Sequence, residues 1–413
     1  LDSAYSPGAH ASNKAHASQI ARSMGLSANR TYGTALFGFA ARIPEGRLHG
    51  LQHDPRITYV DLDQQVSLPI PRSSAPRRCT DNPDGPGCNK DDGSSDDPIT
   101  GQVTPWGIER ISANLNDNEG DGVHVYVLDT GIDSNHEDLA SNLSDGYAAE
   151  SCIGKKRDCK KPWDDDNGHG THVSGTIGAS DNSTGVIGVA SKVKLHAVKV
   201  LNRSGSGSFS GVIAGIDWIT GQTLSLGTAT VANMSLTGLG SQSGSCNDTG
   251  FSGNDAFHEA LCNAKNSGVV FAVAAGNDGS NAEFSVPSAY DDTVIAVSAT
   301  NASDNWPTWS NWGNNNAGWS ENPSAPVAIA APGVSILSTK MGGGTTEMEG
   351  TSMATPHVAG AIALFLANNS QTADGTAFLN ARSHLLTVAE KTTGFSNNSG
   401  HMHEEDFLNS NGL

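Results

Sequence analysis

The stretch Gly350-Thr351-Ser352-Met353-Ala354-Thr355-Pro356-His357-Val358-Ala359-Gly360 sets one serine at the mouth of an apolar helix. Its complements lie upstream in two glycine-rich turns, Asp129-Thr130-Gly131-Ile132-Asp133 and His169-Gly170-Thr171-His172-Val173-Ser174-Gly175, so the chain order is Asp, His, Ser. A serine hydroxyl is a weak nucleophile at neutral pH. It needs an imidazole to take its proton and a buried carboxylate to hold that imidazole in the right tautomer. The three blocks point to Ser352 as nucleophile, His169 as general base and then acid, and Asp129 as the orienting carboxylate. A serine at a helix start is also an ordinary N-cap, worth about 1 kcal/mol; the other two blocks favour the catalytic reading. The same helix start would place backbone N–H groups and the positive end of the helix dipole beside an oxyanion on the attacked carbonyl.

Working outward, apolar runs of strand length alternate with helical patterns from Pro105 onward. Val123 to Leu128, Val193 to Val200, Val231 to Leu236, Val269 to Ala274 and Val294 to Val297 read as strands; Ser208 to Ile219, Asp255 to Asn266 and Ser352 to Leu366 read as helices. This is the pattern of parallel βαβ units with a covered sheet, whose active groups gather at the carboxyl ends of strands. Asp129 directly follows one such strand, and His169 opens a helix from the opposite loop. Residues 1 to 68 read as a small separate unit: a helix from Ala15 to Met24, a strand at Leu36 to Ala41, a second helix near Leu48 to His53 and a strand at Ile57 to Val60. Between Pro69 and Asp97 the chain is rich in Pro, Gly, Ser and Asp, which reads as an exposed linker holding a processing site, with Arg77-Arg78 one candidate. His401 to Asp406 reads as a solvated tail.

The chain has 413 residues, 36% of them hydrophobic, enough for one large α/β domain and a small one. A formal net charge of -19 argues against nucleic acid or an anionic membrane surface as partner, and nothing requires a second chain, so a monomer is expected. No run of about 18 apolar residues suggests a membrane span. Six cysteines fall as local pairs, Cys79 with Cys88, Cys152 with Cys159 and Cys246 with Cys262. Three disulfides and an oxidising compartment are the reading, although six cysteines allow about fifteen pairings. The chain opens on Leu1 in mid-pattern, so an export leader is expected upstream.

The three blocks, in this order and spacing, resemble those of the subtilisin-type serine peptidases, the subtilases, of the secreted subtilisin and proteinase K type. The resemblance runs from about Gln102 to about Leu385. It implies an α/β fold, a three-layer sandwich with a mainly parallel central sheet, as a catalytic domain over residues 101–413. A linker at 69–100 and a small α+β ferredoxin-like propeptide at 1–68 would precede it. The propeptide pattern includes Gly38-Phe39-Ala40-Ala41 and Tyr59-Val60-Asp61, with the first strand truncated. The propeptide would act as an intramolecular inhibitor of an enzyme acting on proteins and peptides.

The resemblance further implies that Asn277 donates its side-chain N–H to the oxyanion. Gly205-Ser206-Gly207 and Ser235-Leu236-Thr237-Gly238 would be edges that hold a substrate main chain as an added strand. Thr237 and Ser285 stand where the family often has glycine, and cleavage after apolar or aromatic residues is expected. One structural Ca²⁺ would be held by the side chains of Gln102, Asp138 and Asn182 and the carbonyls of Ser180, Thr184 and Val186, an oxygen-only set that suits calcium. A second calcium site is in doubt, because Ala328 replaces the usual aspartate. His172 matches a structural position. Two alternatives stand beside this reading. A non-catalytic subtilase-like binding or inhibitory module is disfavoured because all three triad members and Asn277 are retained. A metal hydrolase using His169, His172 and Asp164 to Asp166 would lose activity at once with a chelator.

Overall fold

The run His124-Val125-Tyr126-Val127-Leu128-Asp129 is apolar at successive positions, which a strand tolerates only when both of its faces are covered. The computed structural model of the chain describes residues 7–69, 101–155, 159–313, 327–392, 395–397 and 403–413, and there this run is an inner strand of a large parallel sheet. In chain order the strands that matter for the site are β1 (Ala28–Tyr32), β2 (Gly38–Ala41), β3 (Gln65–Ser67), β4 (His124–Asp129), β5 (Leu143–Ala148), β6 (Lys194–Lys199) and β7 (Ser206–Ser208). They continue as β8 (Thr230–Met234), β9 (Thr237–Leu239), β10 (Val269–Ala274), β11 (Ser285–Val286), β12 (Val294–Thr300) and β13 (Ile329–Pro332). The helices are α1 (Pro7–Ser23), α2 (Glu45–Gln52), α3 (Trp106–Arg110), α4 (His169–Gly178), α5 (Phe209–Leu226), α6 (Ala256–Asn266), α7 (Thr351–Asn368) and α8 (Thr376–Val388).

The central sheet has seven strands in the order β13-β12-β10-β8-β4-β6-β5, every neighbouring pair parallel. Side chains of a strand alternate between faces, and the sequence obeys this. Val125, Val127, Val231, Val270 and Ala272 face a core completed by α3, α4, α7 and α8. Tyr126, Leu128, Ala232, Phe271 and Val273 face a second core completed by α5 and α6. The α/β sandwich expected from the alternating pattern is thus the observed fold. β5, β13 and α8 were not anticipated; β5, half exposed at the sheet edge, lacks a continuous apolar run.

The N-terminal unit departs from expectation. Its described residues form two helices against the antiparallel pair β1–β2, with β1 unanticipated. Ile57 to Val60 is not a strand: it has no ladder partner, and Val60 packs instead beside Leu26 and Leu51 under the helices. β3 leaves this unit altogether and pairs with β7 and β9 in a four-stranded antiparallel sheet of order β11-β9-β3-β7.

The tail reading is also corrected. His403 and Glu405 are buried, Phe407 and Leu408 are fully so, and the Leu408 N–H and Asp406 carbonyl bond to Ala330 at 2.8 and 2.9 Å. Apolar Phe407 and Leu408 follow the acidic run and draw it into the core. His403 stacks on Trp306 and bonds Glu405 Oε1 at 2.7 Å, so these two side chains are partnered within the protein; Glu404 is exposed as expected, and His401 and Met402 lie outside the described residues. Cys152–Cys159 and Cys246–Cys262 are bridged; Cys79, Cys88 and Arg77-Arg78 lie outside the described residues. No helix among the described residues is long and apolar enough to cross a membrane.

Candidate active site

Asp129 is the last residue of β4 and is fully buried, while His169 is the first residue of α4. Imidazole Nδ1 lies 2.9 Å from both carboxylate oxygens of Asp129, and the Thr130 N–H donates to Oδ1 at 2.7 Å. A carboxylate bonded in this way fixes the imidazole so that Nε2 faces the cleft. Sequence reasoning did not separate Asp165 from its acidic neighbours. Its buried carboxylate accepts from Asn167 N, Gly168 N and Thr171 N at 2.9 to 3.0 Å and so caps α4. It also accepts from Thr130 Oγ1 at 2.9 Å, which ties the His169 helix to the Asp129 strand end; burial pushes its pKa up, against the lowering effect of the bonds from Thr171, Gly168 and Asn167. Asp166 pairs instead with the buried Lys199 at 2.6 Å. His172 is fully buried with Nε2 at 2.9 Å from the Ile336 carbonyl, and burial, then His169, pulls its pKa down to about 3. It is a neutral packing residue.

Ser352 is the second residue of α7 and only 1% exposed. Pro356 lies four residues on and has no N–H, so the Ser352 carbonyl lacks its helical partner. Ser235 supplies one: its hydroxyl donates to that carbonyl at 2.8 Å, pinning Ser352 to the end of β8. Ser352 Oγ points to the Ser235 carbonyl at 3.3 Å, and the structure records no bond from it to His169. Gly350, at φ +147, is required by the approach of Asn277: a Cβ there would stand 2.9 Å from Asn277 Nδ2.

Asn277 follows β10 and is 1% exposed. Its Oδ1 accepts from the Thr351 N–H at 2.9 Å and the Thr351 hydroxyl at 2.8 Å, which leaves Nδ2 aimed into the cleft. There it donates to the Pro69 carbonyl at 2.6 Å. Pro69 ends a peptide that runs antiparallel between both expected edges. Ser67 stands opposite Ser206 on one side and Thr237 on the other, Val66 opposite Gly207 and Gly238, and the Leu68 N–H bonds the Gly205 carbonyl at 2.9 Å. Val66 is 1% exposed. Pro69 was expected to begin the exposed linker; it is held in the cleft, and residues 70–100 lie outside the described ones. The alternation of polar and apolar residues through Gln65, Val66, Ser67 and Leu68 was the available strand signal.

A model of the subtilase family matches residues 120–402. The chain belongs to the subtilase family. This subtilase is 35% identical over 361 residues to an extracellular serine proteinase of Thermus sp. (strain Rt41A), covering 84% of this chain and 71% of that one. It is 39% identical over 271 residues to subtilisin DY of Bacillus licheniformis, covering 64% and 85% respectively. Among solved structures it resembles a cold adapted subtilisin-like serine proteinase, with TM-score 0.57 and 36% identity over 74% of this chain and 97% of that one. The chain is accordingly a serine endopeptidase.

The subtilase brings most of the expected calcium ligands together. Gln102 lies on a short strand paired in parallel with Gly185-Val186, and its side-chain amide contacts the carbonyls of Ser180 at 2.7 Å and Val186 at 3.2 Å. Asp138 is fully buried beside them, accepting from Asn182 Nδ2 and Val186 N at 3.1 Å each. Thr184 is held through its N–H and hydroxyl by Asn182 Oδ1, at 3.0 Å each. Here Gln102 and Asn182 face these oxygens through their amide nitrogens; turned over, their amide oxygens would join one carboxylate and main-chain carbonyls in a hard-oxygen set that fits Ca²⁺. Among the described residues no three or more His, Cys, Asp or Glu side chains are grouped to hold an ion. Ser285 is 6% exposed beside Asn311, and Asp278 is exposed at the surface of its loop.

Proposed function

We propose that this serine endopeptidase is made as a secreted zymogen. Ser352 attacks the carbonyl of a peptide laid between β7 and β9; His169 takes the hydroxyl proton and returns it to the leaving amine. Asp129 stays ionised and holds the imidazolium. Asn277 Nδ2 and the Ser352 N–H stabilise the oxyanion, and the acyl-enzyme is then hydrolysed. The single observation that carries this reading is the seating of Gln65 to Pro69, a strand shared by both edges whose last carbonyl rests 2.6 Å from Asn277 Nδ2. The same observation supports residues 7–69 as the intramolecular inhibitor, because a covered cleft admits no other peptide.

Two disulfides, and a relative named as extracellular, support secretion. A structural Ca²⁺ at Asp138, Gln102 and Asn182 with the carbonyls of Ser180, Thr184 and Val186 would tie the loop after α4 to the start of the catalytic body. A chelator is then expected to lower the thermal midpoint without removing the nucleophile's reactivity. The reading is tested by treating the processed protein with a fluorophosphonate and mapping the adduct. Labelling of Ser352 with loss of peptidase activity is expected; a label elsewhere, or none on folded protein, defeats the mechanism.

A further inference from the structure

The loop that carries Asn277 has little structure of its own. Residues 275–280 read Ala-Gly-Asn-Asp-Gly-Ser, with Gly276 at φ +109 and Gly279 at φ +60, so without outside ties its backbone has many conformations. Thr351 orients the Asn277 amide but holds the loop backbone only at the Gly276 N–H, at 3.1 Å. The Ala275 N–H, the Gly279 N–H and the Ser280 carbonyl bond the backbones of Val297, Trp309 and Trp312 at 3.0, 2.8 and 3.2 Å, and most of the ties nearest Asn277 come from one residue outside the loop.

Asn311 is fully buried. Its side-chain Nδ2 donates to the Ala275 carbonyl at 3.0 Å and lies 3.4 Å from Ser285 Oγ. Its Oδ1 accepts from Asp278 N at 3.0 Å and Ser280 N at 3.1 Å, and its own backbone N–H donates to the Gly276 carbonyl at 3.0 Å. The amide orientation is fixed by these partners, since the oxygen faces two N–H groups and the nitrogen a carbonyl. The loop also packs directly on it: a Cβ at Gly276 would come within 2.3 Å of Asn311 Nδ2. One amide therefore bridges the residues on both sides of Asn277 without touching Asn277 itself.

We infer that Asn311 is a positioning residue for the oxyanion donor: it fixes the backbone on either side of Asn277 so that Nδ2 meets the carbonyl oxygen as it becomes an oxyanion. The inference rests on the proposed role of Asn277. Oxyanion donors act only at hydrogen-bond distance, and a misplacement of about 1 Å costs on the order of 10²-fold in rate. Ser285, which replaces a frequent family glycine, belongs to the same support through Asn311 Nδ2.

The test is a double-mutant cycle on the processed enzyme with a peptide substrate, active sites being counted by fluorophosphonate titration. Asn277→Ala is expected to lower kcat about 10²–10³-fold, the range known for subtilisin itself. Asn311→Ala is expected to lower kcat about 10–10²-fold with KM nearly unchanged, because the loop holds the transition state rather than the substrate strand. Combined, they should be no worse than Asn277→Ala alone, since a support for a missing group supports nothing. Asn311→Asp keeps the acceptor side and faces the Ala275 carbonyl with an oxygen; it should fall between wild type and Asn311→Ala, and it replaces the alanine variant should that one fail to fold. An unchanged kcat in both Asn311 variants, or losses that multiply with Asn277→Ala, would overturn the inference. An unchanged kcat in Asn277→Ala would instead overturn the oxyanion reading on which it stands.

Discussion

The main body and the N-terminal unit are built on opposite economies. The body covers both faces of a seven-stranded sheet, and its two cores exclude solvent almost completely. Among the described residues, the unit over residues 7–64 has a core cluster of Ala21, Leu26 and Leu51, with partly buried neighbours. Two of its buried side chains, Tyr32 and Ala35, belong to the body's core. Polar ties follow the same rule. The buried carboxylate of Asp217 on α5 accepts the N–H groups of Gly33, Thr34 and Ala35 at 3.0, 2.6 and 3.0 Å and pairs with Lys14 at 3.0 Å. Asp63 caps α5 through the Ser210 N–H at 2.9 Å, and Asp61 caps α6 through the Ala256 N–H at 3.0 Å, where carboxylates also meet the positive helix ends. A unit of this size with so small a core is marginal alone, and its ties to the body suit the removable inhibitor proposed above.

The largest expected effect separates the two regions by chemistry. Ser352→Ala should lower turnover by about 10⁶-fold, the size measured when the nucleophile is removed from subtilisin, a relative of this chain. It should also leave the bond after residue 69 uncut, read by intact mass. A variant that still processes itself would place the nucleophile elsewhere. In that uncut background, Asp217→Ala removes a buried acceptor from three N–H groups. Truncating one side of such a charge-assisted set costs about 2–5 kcal/mol. Amide exchange across β1, β2 and α2 should then accelerate by about 10²-fold or more, while β4, β8 and β10 stay protected. Equal protection of both regions would mean that the unit stands on its own core.

The same contrast explains what was legible in the sequence. Strands β4, β6, β8 and β10 announce themselves because each is covered on both faces and carries apolar residues at successive positions. Asp129, His169, Ser352 and Asn277 stand out in the sequence because each sits in a glycine-rich turn at a sheet or helix end; the structure pairs Asp129 with His169 and bonds Asn277 to Thr351, the residue before Ser352. Three things were not legible. Gln65 to Pro69 takes its partners from strands far along the chain, and such pairing has no local signal. Phe407 and Leu408 were hidden behind a charged run whose His403 and Glu405 pair with each other. Asp165 and Asn311 look like ordinary turn residues, and only the backbone groups converging on them give them a role.

A smaller effect sharpens the description of how the occupant sits. Pro69 has no N–H, so it cannot donate to the Ser235 carbonyl, and that carbonyl receives Ser352 Oγ at 3.3 Å. An ordinary residue at this position would occupy the carbonyl and leave the serine hydroxyl free to turn toward His169. One regained hydrogen bond is worth about 1 kcal/mol. Pro69→Ala is therefore expected to speed self-cleavage after residue 69 about five-fold, followed as the appearance of the new N-terminus. A slower cut would show that the proline helps to align the carbonyl rather than idling the nucleophile.

The smallest effect lies wholly in the main body and should be indifferent to the N-terminal unit. Asp291 is held above the ordinary carboxylate range, at about 6, by burial first and by the neighbouring Asp292 second, with Arg382 and His258 pulling the other way. A carboxyl whose folded pKa exceeds its unfolded one favours the native state only while protonated. Its contribution is full below about pH 4 and is lost as pH rises through about 6. At pH 7 the ionised group costs stability, and Asp291→Asn removes that cost. Since part of the group meets solvent, the gain is taken as about 1 kcal/mol at pH 7 to 8, vanishing near pH 4 where both forms are neutral. Thermal midpoints of the fluorophosphonate-blocked enzyme across this range check it, and a gain independent of pH would assign the effect to packing. A core of this extent carries such a cost without consequence for the fold. The same penalty placed among Ala21, Leu26 and Leu51 would consume much of what holds the N-terminal unit together.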